Sequence, residues 1–391
     1  MLHDFISRTF GGTGRPQPAS VLSLGQIWVD VMMDVNEMPP AGGFAAAKQI
    51  NSAIGGSFRV LQAAKRMGSP AQHAGIIGSG LWGAAVRKAL AHDGIEHIGQ
   101  DRLDSDTGFR LVLNDGERKT FIATYGAESG GDSDCFDGVK PTDGDVVHIS
   151  GNTLMDHSAA GIEALFDRTM LDPDARPYTI VLNPTNTLEL VSDQLLENLV
   201  LARPIWSCNR QEAHTLADRL GVPRDESTAK LTVGGAFDDA MEQLCGSLGE
   251  ALRATLVLRA GARGAWVREP GGTVTHVPGF PVKPVHTRSA GACHTGAFCA
   301  MLAQGWSLLD AVRIANAAAS LAIEHHVSGV PDCPDRQGAL ALVAAAERGG
   351  AGENDGADGT AGDGGNVGET SSSRQNKAAE GAADGATDYR S

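Results

Sequence analysis

The segment VHTRSAGACHTGAF, residues Val285–Phe298, decides the fold of this chain. It predicts the start of a helix over Gly291–Gln304, because small residues lead into an uninterrupted helical run. Ser289, Ala290, Gly291 and Ala292 all carry backbone N–H groups at that start. Such amides, together with the helix dipole, can hold negative oxygen atoms without any side chain.

A second segment with paired glycines lies near the other end of the chain. It reads IGGSFRVLQAAKRMG over Ile54–Gly68. The pair Gly55–Gly56 opens a helix that we predict over Phe58–Met67, and Gly68 is a typical helix end.

Between and around these segments, short apolar runs alternate with helical patterns. This alternation indicates βαβ units and a mostly parallel sheet, so the fold class is α/β. Two regions, about 28–50 and 107–125, interrupt it with extended segments, the second a hairpin around Asn114-Asp115-Gly116. We expect these to form a small separate sheet. The predicted strands are Ser20–Val35, Ala74–Ile77, Val146–Ser150, Tyr178–Asn183, Ile205–Cys208 and Thr255–Arg259.

Length and composition divide the chain into three parts. Residues 20–345 are enough for one large α/β domain, residues 1–19 form an expected flexible leader, and residues 346–391 form an expected disordered acidic tail. The tail has eight acidic and three basic residues from Gly349 onward and no apolar periodicity. The net charge of −15 argues against a nucleic-acid partner, whose binding depends on neutralising phosphates.

Six cysteines are present, and none forms a CxxC pair. No run of apolar residues is long enough to cross a membrane, and the start MLHDFISRTFGG lacks the long apolar run of a signal peptide. The sequence therefore predicts a cytoplasmic protein with unpaired thiols and no membrane partner.

Five segments, in order, resemble the signatures of the PfkB (ribokinase-like) carbohydrate kinases. Ile54–Gly68 is similar to the N-terminal signature, and Val285–Phe298 aligns without a gap to the C-terminal one. Asn209–Ala213 matches the Asn-x-x-Glu motif, Leu256–Gly264 resembles the strand and turn that approach the nucleotide, and Gly25–Asp30 resembles the opening strand. The resemblance implies a three-layer α/β/α fold with a small β lid and the cofactors ATP and Mg²⁺.

The resemblance also implies where the substrate and nucleotide bind. Asp30, Gly55, Gly56 and Arg59 match substrate-binding positions, although Asp30 can also be read as a turn residue. The nucleotide-side matches are Asn209, Glu212, Arg259, Gly261 and Gly264, and Glu212 would act on the metal through water. Asn209 and Glu212 also fit an N-cap with its Glu three residues on, and both interpretations can hold.

Four positions depart from the family pattern. Ala292 stands where the family has the catalytic aspartate, which takes the proton of the attacking hydroxyl. His286 stands at the signature's first Asp, and Arg59 aligns with the sugar-contacting Asn unless the register is shifted to Val60. Ser289 replaces a glycine and is strained if that position requires a positive φ.

The nearest side chains do not obviously replace the missing base. His294 follows Ala292 by two helical residues, a turn of about 200°, so we expect it to project away as a packed histidine. Cys293 is expected to be a small core residue.

Three hypotheses follow. The chain is an ATP-dependent sugar or nucleoside kinase with impaired chemistry, or a pseudokinase that binds nucleotide or sugar without turnover, or a purely structural protein. The resemblance further implies a homodimer through the lid.

Overall fold

The computed structural model describes residues 18–169, 173–223, 234–285, 289–324, 326–327, 330–331 and 333–354. The predicted leader, except for residues 18 and 19, and the tail beyond Asn354 lie outside the described residues. The compact unit of the chain ends at Arg348. Within the described ranges, no helix is long and apolar enough to cross a membrane.

The main sheet has nine strands. Seven of them run parallel, and the last two form an antiparallel extension at one edge. In spatial order from that edge the strands are β15 (Val274–Pro278), β14 (Gly264–Arg268), β13 (Leu256–Arg259), β12 (Ile205–Asn209), β11 (Thr179–Asn183), β10 (Val146–Ser150), β1 (Val21–Ser23), β4 (Ala71–His73) and β6 (Glu96–His97).

Helices cover this sheet on both faces. They are α1 (Phe58–Arg66), α2 (Leu81–His92), α3 (Ala159–Thr169), α4 (Asp193–Leu201), α5 (Arg210–Arg219), α6 (Gly235–Leu252), α7 (Ala290–Ala303), α8 (Leu308–Glu324) and α9 (Arg336–Asn354). The last helix extends past residue 345, where the sequence placed the start of the tail.

Two buried apolar clusters show why the strands are apolar throughout. Alternate residues of one strand point to opposite faces, so Val21 belongs to the cluster with α1, α7 and α8, whereas Leu22 belongs to the cluster with α5 and α6. Val146 and Val147 divide in the same way. A sheet buried on both faces makes three layers, which confirms the predicted α/β/α fold.

A second sheet of four strands stands beside the main one. Its order is β3 (Gln49–Ile54), β2 (Val29–Asp34), β8 (Phe109–Asn114) and β9 (Lys119–Ala123), with β2 and β8 parallel at its centre. The two remaining strand pairs are β5 (Ile77–Gly78) with β7 (Asp101–Arg102), and β16 (His326–Val327) with β17 (Val330–Pro331).

Two predicted strands differ from the structure. The single strand predicted over Ser20–Val35 is wrong: the run forms β1 and β2, which belong to different sheets. The strand predicted over Ala74–Ile77 is also misplaced, since β4 ends at His73 and β5 begins at Ile77. In both cases an apolar run continues across a change of sheet, and apolar periodicity cannot locate such a break.

Candidate functional site

A cleft of about 270 Å³ lies where the small sheet meets the first turns of α1 and α7. We call it the Asp30 cleft. It brings together Asp30, Gly55, Gly56 and Arg59 from the predicted substrate positions, and Ser289 and Ala292 from the C-terminal signature. The sequence did not predict its other lining residues, which are Trp28, Met32, Ala53, Ile54 and Arg110.

Asp30 and Arg110 form a bidentate ion pair across the centre of the small sheet. Nε of Arg110 lies 2.8 Å from one carboxylate oxygen of Asp30, and Nη2 lies 3.0 Å from the other. The indole Nε1 of Trp28 donates a third hydrogen bond to Asp30 at 3.0 Å. The two charged residues are register partners of the parallel strands β2 and β8.

The contact of Trp28 with Asp30 could have been predicted from the sequence, whereas that of Arg110 could not. Trp28 precedes Asp30 by two residues, so an extended chain places both side chains on one face, and this signal was available. Arg110 carries no local signal, because its contact depends on the parallel pairing of two segments far apart in the chain.

The glycine pair 55–56 is required by close packing at the cleft floor. A Cβ on Gly55 would lie 2.8 Å from Nε1 of Trp28 and 3.1 Å from a carboxylate oxygen of Asp30. Gly56 has φ of +63°, and a Cβ there would collide with the carbonyl oxygen of Gln26. Any side chain at either position would therefore fill the cleft or displace its walls.

The first helix turns Arg59 and Val60 to different surroundings. Arg59 lines the cleft, whereas Val60 is buried in the core. Nη1 of Arg59 donates to the side-chain oxygen of Gln62 at 2.9 Å. Of the two positions that the sequence left open, Arg59 is therefore the one that faces the cleft, and its match to the sugar-contacting position stays a prediction.

The first turn of α7 carries the second half of the cleft. The helix begins at Ala290, with Ser289 before it at φ of 60°, the condition under which the sequence predicted strain. The N–H of Cys293 donates to the carbonyl of Ser289 at 2.9 Å, so the amides of Ala290, Gly291 and Ala292 are those without an intrahelical acceptor. His286 lies outside the described residues.

Ala292 places a methyl group in the cleft, and the two residues after it turn into the core. His294 is buried, and its Nε2 lies 3.1 Å from the side-chain oxygen of Asn316. Burial and the nearby charge of Arg259 lower the pKa of His294 to about 3, so it is neutral at pH 7. Cys293 is buried as well, against α8.

A second cleft, of about 350 Å³, lies at the carboxyl ends of β12 and β13. We call it the Arg259 cleft. It contains three of the predicted nucleotide-side residues, namely Asn209, Arg259 and Gly261. Its other lining residues are Arg210, Gln211, Phe237 and Ala260. Gly264 is buried at the start of β14 and does not line it.

Asn209 and Glu212 form a complete capping box at the start of α5. The amide of Glu212 donates to the side-chain oxygen of Asn209 at 2.9 Å, and the carboxylate of Glu212 accepts from the Asn209 amide at 2.8 Å and from its Nδ2 at 2.8 Å. The N-cap interpretation of this pair is therefore observed. Burial raises the pKa of the Glu212 carboxyl, although Arg259 opposes the shift.

Arg259 connects the capping box to α7. Its Nη2 lies 3.4 Å from a Glu212 oxygen and 3.2 Å from the carbonyl of Ser207, and its Nε is buried without a hydrogen-bond partner. A Cβ on Gly291 would lie 2.7 Å from Nη1 of the same guanidinium. The first turn of α7 thus lines the Asp30 cleft through Ser289 and Ala292, and through Gly291 it packs on Arg259, which lines the Arg259 cleft.

The donors around this turn suit phosphate oxygens better than a bare metal ion. Three helix-start amides and a guanidinium with an unpartnered Nε are anion donors. Within the described ranges, no group of three or more His, Cys, Asp or Glu side chains is placed to hold a metal ion. A Mg²⁺ ion that keeps its waters and binds mainly to phosphates needs no such group.

Comparison with known proteins places these features in one family. The pfkB family carbohydrate kinase model matches residues 18–335. The uncharacterized sugar kinase YegV of Escherichia coli (strain K12) is 30% identical over 311 residues, which cover 78% of this chain and 89% of that protein.

Solved structures agree with the fold. Ribokinase from Cryptococcus neoformans var. grubii serotype A, in complex with ADP, has a TM-score of 0.67 at 19% identity and covers 83% of this chain and 99% of its own. Ribokinase from Arabidopsis thaliana, complexed with ribose and ATP, has a TM-score of 0.61 at 19% identity over 83% of this chain and 98% of its own.

Proposed function

This chain belongs to the pfkB family of carbohydrate kinases, and from that premise we propose that it transfers a phosphoryl group from ATP to a hydroxyl of a sugar or nucleoside, with impaired turnover. One observation carries the proposal: the first turn of α7 lines the Asp30 cleft and packs, at Gly291, on Arg259 of the Arg259 cleft. Phosphoryl transfer requires this adjacency, because acceptor and phosphate must meet at one point.

The chain's own groups divide the work as follows. The sugar binds in the Asp30 cleft, where Asp30 and Arg59 position it against Ala292. The amides of Ala290–Ala292 hold the negative oxygens of the transferred group, and they act without reorganisation because the helix fixes them. Arg259 neutralises charge from the other side of the same turn.

The nucleotide binds in the Arg259 cleft. ATP supplies the phosphoryl group, and Mg²⁺ would neutralise its phosphates. Asn209, Arg259 and Gly261 would contact the nucleotide, and Glu212 would reach the metal through water, because hydrogen bonds already engage both of its oxygens.

The missing base limits the rate. Removal of a general base costs about 10²–10⁴ in rate, while positioning and electrostatic stabilisation remain. Among the described residues that line the Asp30 cleft, the one carboxylate is Asp30, and Arg110 and Trp28 hold it. This observation favours the second candidate, a pseudokinase that binds nucleotide or sugar as a sensor.

An ADP-release assay with Mg·ATP and a panel of sugars and nucleosides tests the two candidates. Turnover above about 1 s⁻¹, in the ordinary kinase range, would contradict both impairment and the pseudokinase reading. Slow turnover that the Asp30→Ala variant abolishes supports the impaired kinase. Nucleotide-dependent thermal stabilisation without ADP release supports the pseudokinase, and no stabilisation at millimolar nucleotide would contradict binding altogether.

We also propose a homodimer formed through the small sheet. The sheet and its connections expose several large apolar side chains, namely Phe44, Ile50, Phe121, Ile122 and Tyr125. Ile50 and Ile122 lie on the same face of the sheet, opposite to the face of Phe121, and exposed apolar residues that share a face are typical of an interaction site. A monomer by light scattering at 50 μM would contradict the proposal, whereas a dimer that Ile50→Asp with Ile122→Asp dissociates would support it.

A cytoplasmic location remains part of the proposal. None of the six cysteines forms a disulfide, and all six are buried. Burial raises the pKa of Cys245 to about 12 and that of Cys208 well above its usual range, so these thiols are protonated and unreactive at pH 7. Free thiols are typical of proteins that work in a reducing compartment.

A further inference from the structure

We infer that the substrate of the Asp30 cleft is an anionic sugar, one whose skeleton carries a carboxylate or a phosphate. The inference rests on the proposed function and narrows it, since the family resemblance implies only a sugar or nucleoside. It is carried by the two arginines that line the cleft and by the way in which Asp30 is already engaged.

The charges of the cleft are the first step. The described residues that line it include two arginines, Arg59 and Arg110, and one acid, Asp30, while the other eight are uncharged. The cleft is therefore positive in a chain whose net charge is −15. The start of α7 adds the positive end of a helix dipole to the same wall.

The hydrogen bonds of Asp30 are the second step. A carboxylate offers about four lone-pair positions, and here three of them accept from Nε and Nη2 of Arg110 and from Nε1 of Trp28. Little capacity remains for the hydroxyl groups of a neutral sugar. A neutral substrate would have to break the ion pair to use Asp30 in the usual way.

The orientation of Arg110 is the third step. Its guanidinium lies over the rings of Trp28 and Phe121, with its central carbon 5.5 Å and 5.8 Å from their centroids. Its Nε and Nη2 point at Asp30, so the edge formed by Nη1 and Nη2 faces elsewhere. That edge has the geometry to bind a second carboxylate or phosphate through two parallel hydrogen bonds.

Arg59 adds the second guanidinium to the cleft. It stands in the first turn of α1, three residues after Gly56, and Nη1 donates to the side-chain oxygen of Gln62. An arginine at this position adds a permanent charge beside the bound sugar. A negative group on the sugar can therefore meet a guanidinium from the small sheet, from α1, or from both.

The alternative is that both arginines are purely structural. Arg110 would then only connect β8 to β2, and Arg59 would only hold Gln62 on α1. A structural role of this kind changes stability but leaves the choice between charged and neutral ligands unaffected. Matched pairs of an anionic and a neutral ligand separate the two interpretations. D-glucuronate and D-glucose differ only at C6, and D-gluconate and D-glucitol differ only at C1. D-glucose 6-phosphate differs from D-glucose by its phosphate.

The experiment measures the affinity of the full-length protein for these ligands by calorimetry, with ADP and Mg²⁺ present, and measures ADP release with ATP in parallel. We expect at least one anionic member to bind about 10-fold or more tightly than its neutral partner, the effect of one charge-assisted contact. Preferred binding of D-glucuronate or D-gluconate would identify a carboxylate substrate. Preferred binding of D-glucose 6-phosphate would identify a phosphorylated one.

Arginine variants assign the preference to the cleft. Arg59→Gln and Arg110→Gln should each reduce it about fivefold or more, while Arg59→Lys and Arg110→Lys should retain part of it. Arg118→Gln is the matched control, because Arg118 lies on the turn of the same small sheet with its side chain 79% exposed. The control should leave the preference unchanged.

Several results would overturn the inference. Equal or tighter binding of the neutral partners would do so, as would an unchanged preference in both glutamine variants, or no binding of any anionic member at 10 mM. Phosphorylation of a neutral sugar alone would refute this inference and leave the proposed function intact. Binding of an anionic sugar without ADP release would contradict the proposed phosphoryl transfer and leave this inference intact.

Discussion

Arg259 packs directly on Gly291: its Nη1 lies 2.7 Å from the point that a Cβ on residue 291 would occupy. The guanidinium thus fills the space beside the first turn of α7 and also contacts Glu212 at the start of α5. The contact makes residue 291 a sensitive probe of the proposed anion site.

The first prediction concerns Gly291→Ala. The added methyl displaces only the end of a flexible side chain, so we expect the free energy of unfolding to change by less than about 1 kcal/mol. The displaced Arg259 should weaken ADP binding about fivefold or more, measured by calorimetry.

Gly246→Ala is the matched control, because Gly246 lies within α6 and a Cβ there would meet Val274 at an ordinary 3.7 Å. It should leave ADP binding unchanged. Unaltered ADP affinity in Gly291→Ala would show that Arg259 does not serve the nucleotide.

The second prediction concerns Ser289→Gly. A non-glycine residue at φ of 60° is strained, so glycine should stabilise the fold by about 1 kcal/mol in urea unfolding. The same change at Ser192 should instead destabilise by a few tenths of a kcal/mol, because Ser192 caps α4 with an ordinary φ of −62° and accepts from Leu195. Equal effects at the two sites would mean that Ser289 carries no strain.

The third prediction concerns Ala292→Asp. A carboxylate at this cleft position restores a proton acceptor, and we expect kcat to rise about 10²-fold or more for whichever substrate shows basal turnover. Ala292→Asn has nearly the same shape without the base, and it should give no gain.

We expect the triple variant Ala292→Asp, His286→Asp and Ser289→Gly to exceed Ala292→Asp alone. Equal kcat values for the two would show that the neighbouring departures are harmless. A failure of both to exceed the parent chain would show that the missing base is not what limits the rate.

The fourth prediction concerns acid stability. Burial lowers the pKa of His73 to about 3 and of His148 to about 4, and that of His294 is also about 3. Each is neutral when folded and takes up a proton when unfolded below about pH 6.5, so stability present above that pH is lost as the pH falls towards 4. Each contributes a slope of about 1.4 kcal/mol per pH unit.

Two buried acids, Asp156 and Glu212, oppose this trend. Burial raises the pKa of Asp156 to about 7, so the folded state takes up a proton there before the unfolded state does, and stability is gained as the pH falls from 7 to about 4. His73, His148, His294 and Asp156 together give a slope of about two histidines. Glu212 reduces this slope, whereas His97, whose pKa burial also lowers, adds to it.

Urea unfolding from pH 7 to 4.5 measures the slope. His73→Phe should reduce it by about one histidine's contribution, whereas His92→Asn, whose side chain is 84% exposed, should not. An unchanged slope in His73→Phe would contradict the assignment.

The sequence predicted the family, the three layers and the glycine-bearing segments, because each of these depends on local patterns. The structure brings Asp30, Gly55, Gly56, Arg59 and Ala292 together at one cleft, and their roles there stay predictions.

What the sequence missed depends on pairing at long range. Arg110 reaches Asp30 only because β2 and β8 align in parallel, and no residue near either strand encodes that register. The contact between Arg259 and Gly291 was missed for the same reason: it arises from the packing of α7 against the end of β13. The sequence therefore predicted six of the residues that line the Asp30 cleft but not the ion pair that fixes its charge.

One wall of the Asp30 cleft belongs to the small sheet, and the other belongs to a helix of the main α/β layers. Asp30 and Arg110 sit on adjacent strands of the small sheet, while Ser289 and Ala292 sit on a helix packed against the main sheet. A tilt of the small sheet would therefore change the width of the opening while leaving the ion pair intact. The indole of Trp28, bonded to Asp30, would move together with that pair.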